Sequence, residues 1–507
     1  MRDVRRLSSL FSLVLALGCS SGGGTSTGTD NVDEPNGGPS GEVSKDGSLA
    51  PSKPDAGTKH DAALPHVVDP SDASAVDGTR DAGKVTGGSD AASNGNPPGN
   101  DGKAGDAGAM TVPPLANIPK GPHTAPGFAN LAPTLGEPLD PKKASTATPA
   151  APAGWTWFEI PGAICRDGSP TGFYVRFAES DSLLFYLEGG GACTSPDFCT
   201  YNPKNVNEVL AGSGETLFGS VGGAVPGRQQ PGADGIFNTT NAANPFGKWS
   251  MVYVPYCTGD VHFGTKTDGA APGVPDKQQF VGYRNMEKFV ARVVPTFKDK
   301  VKRVVLTGAS AGGFGTMLNY SLLQDSFGDD IWVTALNDSG PSFADAIQPV
   351  CMQKRWRDMW GFDGAFPKDC TECRQKDGGG LSNIGLFLER KHPNFRVGLV
   401  SSVHDEVIRA FYAMGLSDCS GFDTASPVPA ALGFTFPDTD YQTGLLGIRT
   451  TYAPMNKFAS YYINGFGNNT FHQHIWRPRF YEAAQGTVTI AQWTTDFLAG
   501  KMTQVGP

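Results

Sequence analysis

Between Ser20 and Pro126 the chain contains no Phe, Tyr, Trp or Cys. A stretch dominated by Gly, Ala, Ser, Asp and Pro cannot bury enough apolar surface to offset its chain entropy, so residues 20–126 read as a disordered tether. All 13 Tyr, all 8 Trp and 29 of the 30 Phe lie beyond it. That is material for one large core. The three domains that 507 residues would suggest, at about 150 residues each, therefore reduce to one folded unit, residues 127–507, with its core from about residue 154. The tether holds 14 Asp+Glu against 7 Lys+Arg, so −7 of the formal charge of −9 sits there and the folded part is close to neutral. A nucleic-acid partner, which needs a basic face, is excluded on that ground.

Ahead of the tether, Arg2, Arg5 and Arg6 precede an apolar run from Leu7 to Leu17. The run is too short for a permanent bilayer span and has the layout of an export signal, residues 1–19. Its end, Ala16-Leu17-Gly18-Cys19, resembles a bacterial lipobox despite Ala16 in place of the usual Leu. The resemblance implies acylation of Cys19 and a membrane-anchored lipoprotein of the cell envelope; the alternative is an ordinary secretory signal and a secreted protein. Eight further cysteines remain: Cys165, Cys193, Cys199, Cys257, Cys351, Cys370, Cys373 and Cys419. In an oxidising compartment an even set reads as disulfides. A zinc site built from Cys370 and Cys373 with Cys351 and Cys419 competes, but one Cys-x-x-Cys without a second pair is a weak metal signal.

Seven short apolar runs recur in the folded part: Phe173 to Phe177, Leu183 to Glu188, Met251 to Pro255, Val301 to Thr307, Ile331 to Leu336, Val397 to Val403 and Ala459 to Ile463. Such runs, separated by helix-length stretches, predict a mostly parallel α/β sheet buried on both faces, with chemistry gathered at the carboxyl ends of its strands. After the fourth run stands Gly308-Ala309-Ser310-Ala311-Gly312-Gly313 followed by a plausible helix. Gly-x-Ser-x-Gly between strand and helix predicts a sharp turn that lifts the Ser310 hydroxyl clear of the sheet and sets the Ala311 amide at a helix N-terminus, where it can stabilise an oxyanion. A serine hydroxyl needs a base and a group to orient that base. In the hydrolase order of serine, acid, histidine, Asp405 after the sixth run and His472 after the seventh complete the set. Asp338 is the rival acid, and His474 competes with His472 because two residues apart in an extended loop point the same way. Gly189-Gly190-Gly191 after the second run exposes backbone amides for the rest of an oxyanion hole, and Cys193 and Cys199 are spaced to stiffen that loop.

Four ordered motifs, Cys165-Arg166-Asp167-Gly168-Ser169-Pro170, Leu187-Glu188-Gly189-Gly190-Gly191, Val254-Pro255-Tyr256-Cys257-Thr258-Gly259-Asp260-Val261-His262 and Gly308-Ala309-Ser310-Ala311-Gly312-Gly313, resemble the pectin acetylesterase and Notum-type carboxylesterase family from about Trp155 onward. The resemblance implies an α/β-hydrolase fold, no metal or cofactor, and hydrolysis of carboxylic esters by Ser310, Asp405 and His472 with oxyanion donors at Gly189, Gly190 and Ala311. It also implies Cys165–Cys257 and Cys193–Cys199 bridges. Plant members carry Trp where this chain has Ala192, and Notum-type members an aromatic pair at Gly191 and Ala192, so the acyl-pocket wall differs. Gly191, Ala192, Asp260 and His262 are candidates to line that pocket, and a hydrogen-bonded pair that holds the loop is the other reading of Asp260 and His262. The expectation is an exported serine carboxylesterase whose substrate is an O-acetyl ester on extracellular polysaccharide such as pectin. A deacylase of lipid-modified protein or polyester is the next reading. A surface glycan-binding protein on a hydrolase scaffold is the alternative of another class.

Overall fold

The computed structural model describes residues 118–144, 151–208, 230–422, 436–464 and 472–507. The export signal, Cys19, the tether up to residue 117, and the Gly465 to Phe471 approach to His472 lie outside the described residues. Among the described residues no helix is long and apolar enough to cross a membrane.

The main sheet has nine strands. In chain order they are β1 (Thr156–Ile164), β2 (Pro170–Arg176), β3 (Ser182–Leu187), β4 (Ser250–Val254), β7 (Arg303–Ala309), β8 (Trp332–Asp338), β9 (Val397–Ser402), β10 (Phe458–Ile463) and β13 (Gln504–Val505). A side hairpin, β5 (Lys266–Ala271) and β6 (Val274–Phe280), and a two-residue ladder, β11 (Ala484–Gln485) and β12 (Val488–Thr489), complete the set. Spatial order is β1-β2-β4-β3-β7-β8-β9-β10-β13. β2 runs antiparallel to β1 and β4, and every other neighbouring pair is parallel. All seven apolar runs are strands of this sheet.

Period-2 alternation explains how both faces are buried. Along β3, Leu183, Phe185 and Leu187 join one core cluster while Leu184 and Tyr186 join the other. Parallel neighbours need crossovers, and these are helices that lay one apolar stripe on the sheet. In the helix Gly282–Phe297 the stripe is Met286, Phe289, Val290, Val293, Val294 and Phe297, all buried at three- and four-residue spacing. Carboxyl ends of the parallel strands align in register, Leu187 with Gly308, Ala309 with Asp338 and Ser402 with Ile463. The loops that follow β3, β7, β8, β9 and β10 therefore emerge along one edge.

Residues 118–126, assigned from composition to the tether, lie against this body. His123 is buried and its amide donates to Asp329 Oδ1 at 2.7 Å, and the Ala125 amide donates to the Lys391 carbonyl at 2.7 Å. Next to them the buried Lys391 ammonium bridges Asp325 Oδ2 and the Ala129 carbonyl, both at 2.7 Å. Polar anchoring of this kind leaves no aromatic or hydrophobic signature, which is why composition missed it.

Candidate active site

Ser310 stands between β7 and the helix Ala311–Leu318 with φ 58° and ψ −118°. A non-glycine residue in that region is strained and persists only where its surroundings hold it. Here the Ser310 amide donates to the Asp338 carbonyl at 2.8 Å and the Ser310 carbonyl accepts from the Phe314 amide at 3.1 Å. The flanking glycines are required by space. A Cβ on Gly308 would lie 2.4 Å from the Gly312 carbonyl oxygen, and one on Gly312 would lie 2.0 Å from that of Leu187. The turn thus packs backbone against backbone and leaves the serine as its apex. Ala311 is the first helical residue, so its amide has no partner within the helix.

His472 follows β10, and its Nδ1 lies 2.8 Å from Asp405 Oδ2. Asp405 is fully buried at the end of β9, where its other oxygen, Oδ1, accepts from the Ile408 amide at 2.9 Å and so caps the helix Glu406–Ala413. One carboxylate thus orients the imidazole and is itself oriented by a helix N-terminus. Nε2 of His472 is buried and has no hydrogen-bond partner among the described residues.

Asp338, the rival acid, has another task. Its Oδ2 accepts from the His474 and Ile475 amides at 2.6 and 2.9 Å, and its Oδ1 from the Ser339 hydroxyl at 2.9 Å. Burial pushes its pKa up while those donors pull it down. The carboxyl latches the histidine loop to the sheet. The premise of an extended loop fails at Gln473, whose φ of 67° turns the chain between the two histidines. His474 is buried, neither ring nitrogen has a partner among the described residues, and burial together with Arg479 drives its pKa well below the usual imidazole value.

Gly189, Gly190 and Gly191 leave β3 beside the elbow. A Cβ on Gly189 would meet the Ala309 carbonyl oxygen at 2.4 Å, Gln473 Nε2 at 2.7 Å and Ser310 Cβ at 3.0 Å, so only glycine fits there. The loop is pinned from three sides. Cys193–Cys199 closes it, the Cys193 amide donates to the Gly259 carbonyl at 2.9 Å, and Asn202 Nδ2 donates to the Gly190 carbonyl at 2.9 Å. Glu188 enters it with its carboxyl enclosed. Burial raises that pKa to about 7, although the Tyr253 hydroxyl and the Tyr256 amide (3.0 Å) both donate to it.

A recess of about 330 Å³, counting its open mouth, adjoins Ser310 and is lined by Gly191, Ala192, Val261, Ala311, Phe314, Trp356, Ile408, Phe411 and Tyr412. Gly191 and Ala192 occupy the pocket wall expected of them. Asp260 and His262 do not. Asp260 is buried behind the loop, accepting from Thr258 Oγ1 at 2.6 Å and the Gly282 amide at 2.7 Å, with its pKa raised to about 6 by burial. His262, lowered to about 4 by burial, is neutral and pairs through Nε2 with the Glu188 carbonyl at 2.8 Å. The pair braces the glycine loop. The aromatic wall itself, Phe411 stacked on Phe198 at 4.4 Å and Trp356 edge-on to Phe314 at 6.3 Å, carried no sequence signal because these residues come from four separate helices.

Among the described residues four disulfides are present: Cys165–Cys257, Cys193–Cys199, Cys351–Cys419 and Cys370–Cys373. The first two are the bridges the family resemblance implies. The last two consume the four sulfurs of the zinc alternative, which is thereby overturned.

A nine-stranded sheet of this order, with a strained serine at the turn after its central strand, has the α/β-hydrolase fold. Residues 157–378 match the Pectinacetylesterase family model. Curated relatives include palmitoleoyl-protein carboxylesterase notum2 of Xenopus laevis, 27% identical over 257 residues that cover 46% of this chain and 48% of that one. Pectin acetylesterase 4 of Arabidopsis thaliana is 28% identical over 187 residues, 35% of this chain and 41% of that one. The alignments thus span about half the length of these curated relatives or less. A solved structure of the Wnt deacylase Notum from Drosophila superposes with a TM-score of 0.45 at 18% identity, covering 69% of this chain and 94% of that one. Over residues 157–378 the chain is thus similar to the pectin acetylesterase and Notum-type carboxylesterase family.

Proposed function

We propose that this protein is an exported serine carboxylesterase, anchored to the cell envelope through an acylated Cys19, that removes O-acetyl groups from an extracellular polysaccharide such as pectin. The observation that carries the reading is the hydrogen bond of 2.8 Å between His472 Nδ1 and the buried Asp405, which leaves Nε2 unpaired among the described residues on the ring that must serve Ser310. Ser310 Oγ attacks the ester carbonyl carbon, its proton passes to His472 Nε2, and the carbonyl electron pair moves onto oxygen toward the amides of Gly189, Gly190 and Ala311. Collapse returns the proton to the leaving alcohol, and water then releases the acyl group by the same steps. Asp405 holds the proton on Nδ1 and stabilises the imidazolium.

The recess supports a short acyl group. Phe411, Trp356 and Phe314 line it and Phe198 backs Phe411, so a sixteen-carbon chain would crowd this aromatic wall. All four described disulfides suit an oxidising compartment, in keeping with export. The test is turnover of p-nitrophenyl esters from acetate to palmitate by the wild-type chain and by Ser310→Ala. The reading expects acetate to be preferred and Ser310→Ala to be inert while folded. Retained activity in a clean preparation of that variant would overturn it.

A further inference from the structure

Gln473 lies between the two histidines, and its side chain reaches the start of the glycine loop. Its backbone is held at φ 67°, a conformation a glutamine adopts only under constraint, and its amide donates to Ser339 Oγ at 3.2 Å. The carboxamide then runs back over the glycine loop. A methyl-sized point beside the Gly189 Cα is crowded at once by the Ala309 carbonyl oxygen at 2.4 Å, Gln473 Nε2 at 2.7 Å and Ser310 Cβ at 3.0 Å. The nitrogen therefore lies beside the first glycine of the loop, close to the turn that carries Ser310.

Its orientation is fixed by donor chemistry. Trp476 Nε1 approaches the carboxamide oxygen Oε1 at 2.9 Å. An indole N–H only donates, so the atom it meets must be the oxygen, and the NH2 group is turned the other way, toward Gly189 and Ser310. Among the described residues Nε2 has no hydrogen-bond partner. The chain has thus strained a residue, clamped one end of its amide and set two unused N–H groups beside Gly189 and the Ser310 side chain.

We propose that Gln473 is a further oxyanion donor, binding through Nε2 the ester carbonyl oxygen that becomes negative when Ser310 attacks. The inference rests on the serine-esterase reading and deepens it. No bond to Gln473 forms or breaks. The carbonyl electron pair moves to oxygen, the serine proton to His472, and the Nε2 hydrogen bond shortens as charge grows. Donors of this kind lower the barrier for the transition state more than they bind the ground state.

The test uses Gln473→Leu, which removes the donors, and Gln473→Glu, which keeps an oxygen for Trp476 but replaces the donors with a carboxylate. On p-nitrophenyl acetate, kcat should fall on the order of 10² or more in both, with KM within about threefold. Affinity for a trifluoromethyl ketone, which forms a stable oxyanion on the serine, should fall in parallel. A full kcat in either folded variant, or a loss confined to KM, would overturn the proposal. A mere loss of loop structure would spare Gln473→Glu, since its Trp476 contact survives. Failure here leaves the esterase reading intact so long as Ser310→Ala is inert, whereas an active Ser310→Ala removes both.

Discussion

Replacing Asp405 by Asn separates the two carboxyls that compete for the catalytic role. Asp405 makes two contacts, Oδ2 to His472 Nδ1 at 2.8 Å and Oδ1 to the Ile408 amide at 2.9 Å. Asparagine can keep the second, and as a helix cap it is about as good as aspartate, so the stability cost should stay near 1 kcal/mol. It cannot keep the first in the same sense. An NH2 group facing Nδ1 makes that nitrogen an acceptor and moves the ring proton to Nε2, where it blocks transfer from Ser310. The loss in kcat should be on the order of 10³ to 10⁴, or about 4 to 5.5 kcal/mol of barrier. Asp338→Asn should do the opposite. Three donors converge on that carboxylate, and an amide must either face its NH2 to the two backbone N–H groups or make the Ser339 hydroxyl accept and leave its proton without an acceptor, at about 1 to 3 kcal/mol for each buried group left unpaired. It should unfold at lower temperature and lose less kcat per folded molecule. The assay is p-nitrophenyl acetate hydrolysis normalised to folded protein, beside thermal melts of both variants. If Asp405→Asn kept kcat within tenfold while Asp338→Asn abolished it without destabilisation, the assignment of the acid would be wrong.

Three other outcomes follow from the same geometry. Phe411→Ala should empty the end of the recess and shift preference from acetate toward hexanoate or longer esters, read as the ratio of kcat/KM values; an unchanged ratio would show that Phe411 does not limit chain length. Gly189→Ala places a Cβ 2.4 Å from the Ala309 carbonyl oxygen and 2.7 Å from Gln473 Nε2, so it should displace the loop and lower kcat on the order of 10² or more; near-normal turnover would mean the loop holds no oxyanion. Glu188 gives a pH signature. Its folded pKa is raised from 4.5 to about 7, so between those values the native chain keeps a proton that the unfolded chain has lost. Its contribution is therefore full below 4.5 and declines as pH rises to about 7. Relative to wild type, Glu188→Gln should gain stability over that interval and level off above it in denaturant titrations; a gain on acidification would contradict the sign.

Most of the sheet was legible because a strand buried on both faces must be continuously apolar, and seven such runs occur. β1 was missed because Glu159, Pro161 and Gly162 interrupt its pattern, and its register slips between Glu159 and Ile164. β13 and the β5–β6 hairpin were missed because one is two residues long and the other mostly exposed. The candidate site was legible where chemistry imposes a local pattern, as at Gly308 to Gly312 and Gly189 to Gly191. It was not legible where a role arises from packing between distant segments. Asp260 and His262 look like pocket residues in sequence, and only the fold turns them inward against Gly282 and Glu188. Gln473 is an ordinary loop residue until a positive φ and the Trp476 contact aim it.

Whether Ser310 is a nucleophile served by His472 is settled by treating the folded wild-type chain with a fluorophosphonate and mapping the adduct by mass spectrometry. One covalent adduct per chain is expected, on the peptide containing Ser310, formed far more slowly in His472→Ala. No adduct on wild type would contradict it and favour a surface protein that binds glycan without chemistry; one on a different serine that persists in Ser310→Ala would contradict the assignment of the nucleophile.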